Sequence, residues 1–328
     1  MNSFKSVSYS SGQPGPRLIV LGAVHGNEVC GSLAIGQVMA MFDAGEINLD
    51  AGHVTFVPVT NPLAYAKRTR AGDRNLNRGL QPTDAPGEFE DEVANWLCPL
   101  LASHDVLLDL HSFQGEGEPF VFIGPENNEG RIEPFGHAAL EEQLALRLGV
   151  GRCVCGWLST YAVGVEQRQR AAEPARTKSA SADARYGIGT TEYMRSVGGW
   201  GVTLECGQHN DPSAVDVART AIVNALTHLG LLSGPRPDPV QHVQTLRLCE
   251  VVDRADASDE FARVWQSFDA IQRGELIGTR GDGARVVAPF DGFIVFPSPT
   301  APVATEWFYL AKQSDRLARV DPSRPAPR

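Results

Sequence analysis

His25 and Glu28 stand three residues apart in the run Gly22-Ala-Val-His-Gly-Asn-Glu28, and His111 follows the apolar run Val106-Leu-Leu-Asp-Leu110. Two imidazoles and one carboxylate are the donor set of a catalytic zinc site, which takes three protein ligands and keeps a fourth position for water. An isolated HxxE pair would more often be two residues hydrogen-bonding at a strand end. Here His111 and a further carboxylate, Glu205, which follows Val202-Thr-Leu204, turn the reading toward one zinc ion per chain.

A second cluster is cationic. Lys67, Arg68, Arg70, Arg74 and Arg78 crowd one loop of a chain whose formal net charge is −10. Arginine is the usual partner where a carboxylate must be gripped by two parallel hydrogen bonds. Lys67, Arg68 and Arg74 read as solvated loop charges, whereas Arg70 and Arg78 read as functional. Pairing of Arg78 with Asp73, merely to order the loop, is the alternative.

These residues need elements to hold them. Leu18 to Val24 is a continuous apolar run that reads as a buried strand of a parallel or mixed sheet. Asn27 to Phe42 follows as a helix, with Asn27 as its N-cap. Further strands are expected at His53 to Val59, Val106 to Leu110 and Gly201 to Glu205. Helices are expected at Glu88 to Leu101, Leu140 to Leu148 and Val215 to Leu229. Asn61 to Pro86 reads as a long loop, and Glu166 to Ala184 as a mobile insertion. Strands alternating with helices predict an α/β fold: a mixed, largely parallel sheet with helices on both faces. In such sheets ligand sites form at the carboxyl ends of strands, where His25, His111 and Glu205 fall. Ser233 to Pro239 reads as a linker. Beyond it, short strands at Val243 to Val252, Arg285 to Ala288, Gly292 to Phe296 and Trp307 to Ala311 predict a small, mostly β C-terminal domain. The division is thus residues 1–232 and 240–320, with a Pro-rich, disordered tail from Asp321 to Arg328.

Composition bounds the rest. The chain has 328 residues, 42% of them hydrophobic and 21% charged, as in an ordinary globular protein. Its acidic balance argues against nucleic acid or an anionic membrane as partner. No apolar run is long enough to span a bilayer. Met1 to Gly15 lacks the apolar core of a secretory signal. The six cysteines form neither zinc-type pairs nor a disulfide framework, which fits buried thiols in the cytoplasm. Association into a homo-oligomer stays open.

The ordered motifs Gly22-Ala-Val-His-Gly-Asn-Glu28, Asn75-Leu-Asn-Arg78, Asp109-Leu-His-Ser112 and Leu204-Glu-Cys-Gly207 resemble the succinylglutamate desuccinylase/aspartoacylase family of the zinc carboxypeptidase superfamily. The resemblance implies a zinc carboxypeptidase-like fold, with His25, Glu28 and His111 as zinc ligands. It implies that Glu205 takes a proton from the attacking water and gives one to the leaving amine. It further implies that Asn77 and Arg78 hold a substrate carboxylate and that Arg70 polarises the scissile carbonyl. Arg195, ten residues before Glu205, matches the spacing of a further substrate-binding arginine. Two departures stand out: Asn75 where the family usually has Asp, and Ser112-Phe-Gln after His111, closer to the carboxypeptidase pattern. The expected activity is zinc-dependent hydrolysis of the amide of an N-acyl amino acid, a small molecule with a free carboxylate. A metallocarboxypeptidase or peptidoglycan amidase on the same scaffold is the second reading. A zinc-dependent binding protein without turnover is the third.

Overall fold

The computed structural model describes residues 3–171 and 183–321. In chain order the first strands and helices are β1 (Val7–Ser10), β2 (Arg17–Leu21), α1 (Cys30–Asp43), β3 (His53–Val57), α2 (Pro62–Lys67), α3 (Phe89–Ala102) and β4 (Val106–Phe113). Next come β5 (Phe120–Phe122), α4 (Ala138–Ala145), β6 (Arg152–Cys155), α5 (Trp157–Ala171), α6 (Thr190–Ser196), β7 (Trp200–Gln208) and α7 (Ser213–His228). The remainder is β-rich: β8 (Gln244–Asp253), β9 (Glu260–Phe261), β10 (Ala270–Ile271), β11 (Leu276–Thr279), β12 (Arg285–Val287), β13 (Gly292–Val295) and β14 (Glu306–Gln313).

Eleven of these strands form one sheet, in the order β1-β3-β2-β4-β7-β5-β6-β8-β14-β13-β10. Strands β3, β2, β4 and β7 run parallel and make its centre, as the apolar runs predict. β5 runs antiparallel to β7 and parallel to β6. Alternation along the strands divides the core. Leu108 and Leu110 pack with Ile35 and Val38 of α1 and Ala218 and Ile222 of α7 on one face. Leu107 packs with Val93, Leu97 and Leu101 of α3 and Met194 of α6 on the other. Helices therefore cover both faces.

Residues 240–320 join that sheet. β8 lies parallel to β6, and β14, β13 and β10 continue outward from β8. Only β9, β11 and β12 form a separate, three-stranded sheet. The line drawn between 1–232 and 240–320 thus crosses continuous backbone pairing.

Several local expectations need correction. The first helix starts at Cys30 with Val29 at its cap, so Asn27 and Glu28 belong to the turn before it. The loop from Asn61 contains α2, which Asn61 caps by accepting from the Ala64 N–H. Glu166–Ala171 continues α5 rather than opening an insertion; residues 172–182 and the tail 322–328 lie outside the described residues. All six thiols are free. No helix among the described residues is long and apolar enough to cross a membrane.

Candidate metal centre

β2 ends at Leu21 and hands the chain to a turn at the carboxyl end of the sheet. The turn is tight: Ala23 takes a left-handed φ of 48°, and a Cβ on Gly26 would sit 1.9 Å from the Ala64 carbonyl carbon. Only glycine fits there, because the α2 backbone lies against it. The turn carries His25 and Glu28, both buried. His111 reaches the same place from β4, in register with Glu205 on β7, so the two side chains share a sheet face.

Side-chain donors of His25, Glu28 and His111 lie within 4.8 Å of one another. His111 Nδ1 is 2.8 Å from Glu28 Oε2, and His25 Nδ1 is 2.8 Å from Glu28 Oε1 at an angle that makes no hydrogen bond. Each imidazole is fixed from behind through Nε2: His111 by Asp109 Oδ2 at 2.9 Å and His25 by Asn75 Oδ1 at 3.0 Å. Oxygen partners of this kind set the tautomer that frees Nδ1 for a metal. The Asn75 oxygen does here what a carboxylate would do, and it also accepts from the Asn77 N–H. Asp109 is itself held by the Thr190 hydroxyl. His25 Nδ1, Glu205 Oε2 and Asp109 Oδ1 are shut off from solvent without a hydrogen-bond partner. Unpaired buried polar atoms are costly, so the orphaned His25 Nδ1 beside Glu28 and His111 fits a bound cation. The donor set and the orphaned His25 nitrogen therefore suit zinc.

Electrostatics follow the geometry. Burial pushes the His25 imidazole down to about 4, with Arg70 adding to the effect. Burial alone would raise the Glu28 carboxyl, but His25 and His111 hold it well below its usual value. Burial would lower His111, yet Asp109 and Glu28 raise it well above 6.5. Burial, and then repulsion from Glu28, push Glu205 up to about 8.

Arg70 reaches the centre, its Nη1 2.8 Å from Glu28 Oε1 and its side chain half exposed. The loop bearing it is held from beneath by Glu90 of α3, which accepts from the N–H groups of Gly72, Asp73 and Arg74. Arg74 pairs with Glu88 and Asp91, and Lys67 lies 3.8 Å from Asp73. Arg78 pairs with no carboxylate among the described residues. Its guanidinium lies 4.8 Å from the Trp157 ring and 5.8 Å from that of Tyr161, and it donates to the Asn77 carbonyl. Asn77 itself turns toward α6, where its Oδ1 accepts from the Thr190 N–H across Gly189.

Arg195 is not brought to the metal cluster. It is buried on α6, and its guanidinium is consumed by Glu141, Glu133, Glu192 and the Gly201 carbonyl. Gly201 lies four residues before Glu205 on β7, roughly 13 Å back along the strand. Spacing along the chain matched the resemblance, but the guanidinium turns away from the metal centre.

Asp109 and Thr190 carry no expectation from the sequence, and His209 only a weak one, from its place four residues after Glu205. Asp109 was legible in retrospect: it is the one charge in an apolar strand, two residues from His111 and so on the same face. His209 Nδ1 contacts the Ser112 hydroxyl at 2.8 Å, and Asn27 Nδ2 lies 3.3 Å from its Nε2. Four residues of separation from Glu205 gave only a faint signal for that.

Fold and site together define an α/β protein with a metal-competent His-Glu-His cluster at the strand ends of a mixed sheet. Residues 14–117 match the succinylglutamate desuccinylase/aspartoacylase catalytic domain. The chain is 23% identical to the succinylglutamate desuccinylase of Shewanella denitrificans over 300 residues, covering 88% of this chain and 79% of that protein. Among solved structures, a succinylglutamate desuccinylase/aspartoacylase from Rhodobacter sphaeroides superimposes with a TM-score of 0.67 at 18% identity, covering 92% of this chain and 87% of its own. The Vibrio cholerae succinylglutamate desuccinylase gives a TM-score of 0.68 at 16% identity, covering 92% and 82%. The chain thus resembles the succinylglutamate desuccinylase/aspartoacylase family in its catalytic-domain sequence and in its fold.

Proposed function

We propose that this protein is a zinc-dependent hydrolase that cleaves the amide bond of an N-acyl amino acid. One observation carries the reading: His25 Nδ1, His111 Nδ1 and the Glu28 carboxylate converge within 4.8 Å, and Glu205 Oε2 is buried on the same face without a partner. The match to a desuccinylase/aspartoacylase catalytic domain supports amide hydrolysis as the reaction.

His25, Glu28 and His111 would hold the metal, with Asp109 and Asn75 fixing the two rings. A zinc ion there supplies a Lewis acid that acidifies water and polarises a carbonyl. The chain does the rest. Glu205 accepts the proton of the attacking water at a carboxylate oxygen and returns it to the departing nitrogen, so that the leaving group is a neutral amine. Its carboxyl, raised to about 8 by burial and by Glu28, would ionise at lower pH with a dication held by His25, Glu28 and His111. Arg70 stands beside Glu28, where its guanidinium favours negative charge developing on the carbonyl oxygen. Arg78, backed by aromatic rings rather than an acid, grips the substrate carboxylate and so orients the amide.

The test is a panel of N-acyl amino acids assayed by amine release with zinc-loaded protein, each compound paired with its methyl ester. Esterification lowers kcat/KM sharply for the wild type and much less for Arg78→Ala. Equal losses in both proteins would remove Arg78 from substrate recognition. No amine release from any compound would remove the hydrolase reading.

A further inference from the structure

The sheet face that carries His111 and Glu205 does not end at β7. Phe120 and Phe122 of β5 pair with Glu205 and Thr203, so both rings lie on that face. The Phe122 ring lies 6.4 Å from Trp157 and 6.0 Å from Phe296, and Trp157 lies 5.4 Å from Tyr309 of β14. Phe122, Trp157 and Phe296 are partly open to solvent and pack on a buried cluster that includes Phe120, Phe268 and Tyr309. Phe296 takes a left-handed φ of 52°, a strained conformation for a bulky side chain, held by its N–H on Ser267 Oγ. Strain of this kind persists where the surroundings fix a side chain for a task. The Tyr309 hydroxyl is buried on the same wall without a hydrogen-bond partner.

Charge on this wall is limited. Arg168 is taken by Asp253 and Glu306, and Arg152 faces Glu118 and Gln244. Arg195 is consumed by glutamates elsewhere. Arg78, its guanidinium 4.8 Å from the Trp157 ring centre, remains without a carboxylate among the described residues. A substrate with one carboxylate satisfies Arg78. A substrate with two would bring its second charge against aromatic rings, where a desolvated anion without a partner is costly.

We propose that Phe122, Trp157 and Phe296, backed by buried Tyr309, bind the side chain of the amino acid whose carboxylate Arg78 grips, so that the substrate is an N-acyl amino acid with an aromatic or large apolar side chain rather than a dicarboxylic one. This rests on the hydrolase reading above and names its substrate class. The carboxylate and the side chain leave the same carbon, so a carboxylate on Arg78 brings the side chain to the Trp157 ring. An aromatic side chain against these tilted rings gains ring–ring contact in addition to burial.

The experiment compares kcat/KM of the zinc-loaded protein for N-acetyl-L-phenylalanine, N-acetyl-L-alanine and N-acetyl-L-aspartate. The phenylalanine compound exceeds the alanine compound by about tenfold or more, because a buried ring adds several methylene equivalents of apolar surface. The aspartate compound falls below both. In Phe296→Gly, whose backbone glycine adopts without strain and whose melting temperature is read alongside, the phenylalanine-to-alanine ratio collapses toward one. Binding of the same three compounds to Glu205→Gln, read by calorimetry, follows the same order. If the aspartate compound is turned over best, or if Phe296→Gly leaves the ratio unchanged, the pocket assignment is overturned while the hydrolase reading stands. If nothing is turned over but the binding order holds, the hydrolase reading falls and the pocket stands.

Discussion

Two buried ionic clusters lie on this sheet, and they differ in what they leave unpaired. Around Arg195 every guanidinium nitrogen is used: Nε and Nη2 on Glu141, Nη1 on Glu133 and Glu192, and Nη2 again on the Gly201 carbonyl. Around Glu28 the pairing is incomplete: Arg70, His111 and the Ser112 N–H take the Glu28 oxygens, but His25 Nδ1 and Glu205 Oε2, and Asp109 Oδ1 behind His111, lack partners. Both clusters bury charge at a cost in desolvation. The first offsets it internally, which is what a structural brace does. The second is complete only when something positive and something reactive enter it, as expected of a catalytic centre.

Removing Arg195 is the harshest way to press this comparison. Arg195→Met leaves Glu141 buried without its cation, and breaking one side of such a pair costs about 3–5 kcal/mol. Chemical denaturation should show a loss of that order, while KM per folded molecule stays near the wild-type value. A large rise in KM with intact stability would return Arg195 to substrate binding.

Asp109→Asn acts on the other cluster with a smaller effect. The amide can keep the contact to His111 Nε2 but loses the charge that fixes the ring, and such changes weaken metal affinity by about 10–100-fold. Competition with a chromogenic chelator reads this directly. Unchanged affinity would mean that Asp109 serves only the fold.

A pH series sharpens the electrostatic side of the comparison. Without metal, the Glu205 carboxyl is raised to about 8, by burial first and then by Glu28. The native state then keeps a proton that the unfolded chain releases near 4.5. Stability therefore falls as pH rises through that window. Glu205→Gln carries no such proton. The melting temperature of metal-free wild type should drop relative to metal-free Glu205→Gln from about pH 5 to about pH 8. A constant gap would mean that Glu205 is solvated and ordinary.

Much of this was legible because local rules and tertiary context agreed. The apolar run Leu18 to Val24 and the strand before His111 had to be buried, so their ends had to present His25 and His111 together. Strands β5 and β6 escaped notice because three or four residues carry too little periodicity to announce themselves. The continuity of the C-terminal strands with the main sheet was hidden for a different reason. Pairing between β6 and β8 joins residues about ninety positions apart, and the Gly/Pro-rich segment between them looks the same whether it separates two cores or turns back into one. For Arg195, spacing in the sequence says nothing of Glu133 and Glu141 on other segments, which pair with its guanidinium.

Glu205→Gln, purified with zinc and assayed beside wild type, tests the central claim most directly. The change is nearly isosteric and leaves His25, Glu28 and His111 untouched. The account predicts about one equivalent of zinc in both proteins. It predicts kcat for amide cleavage lower in the variant by about 10²–10⁴-fold, the usual contribution of a general acid/base. Full zinc with near-normal turnover in Glu205→Gln would contradict it.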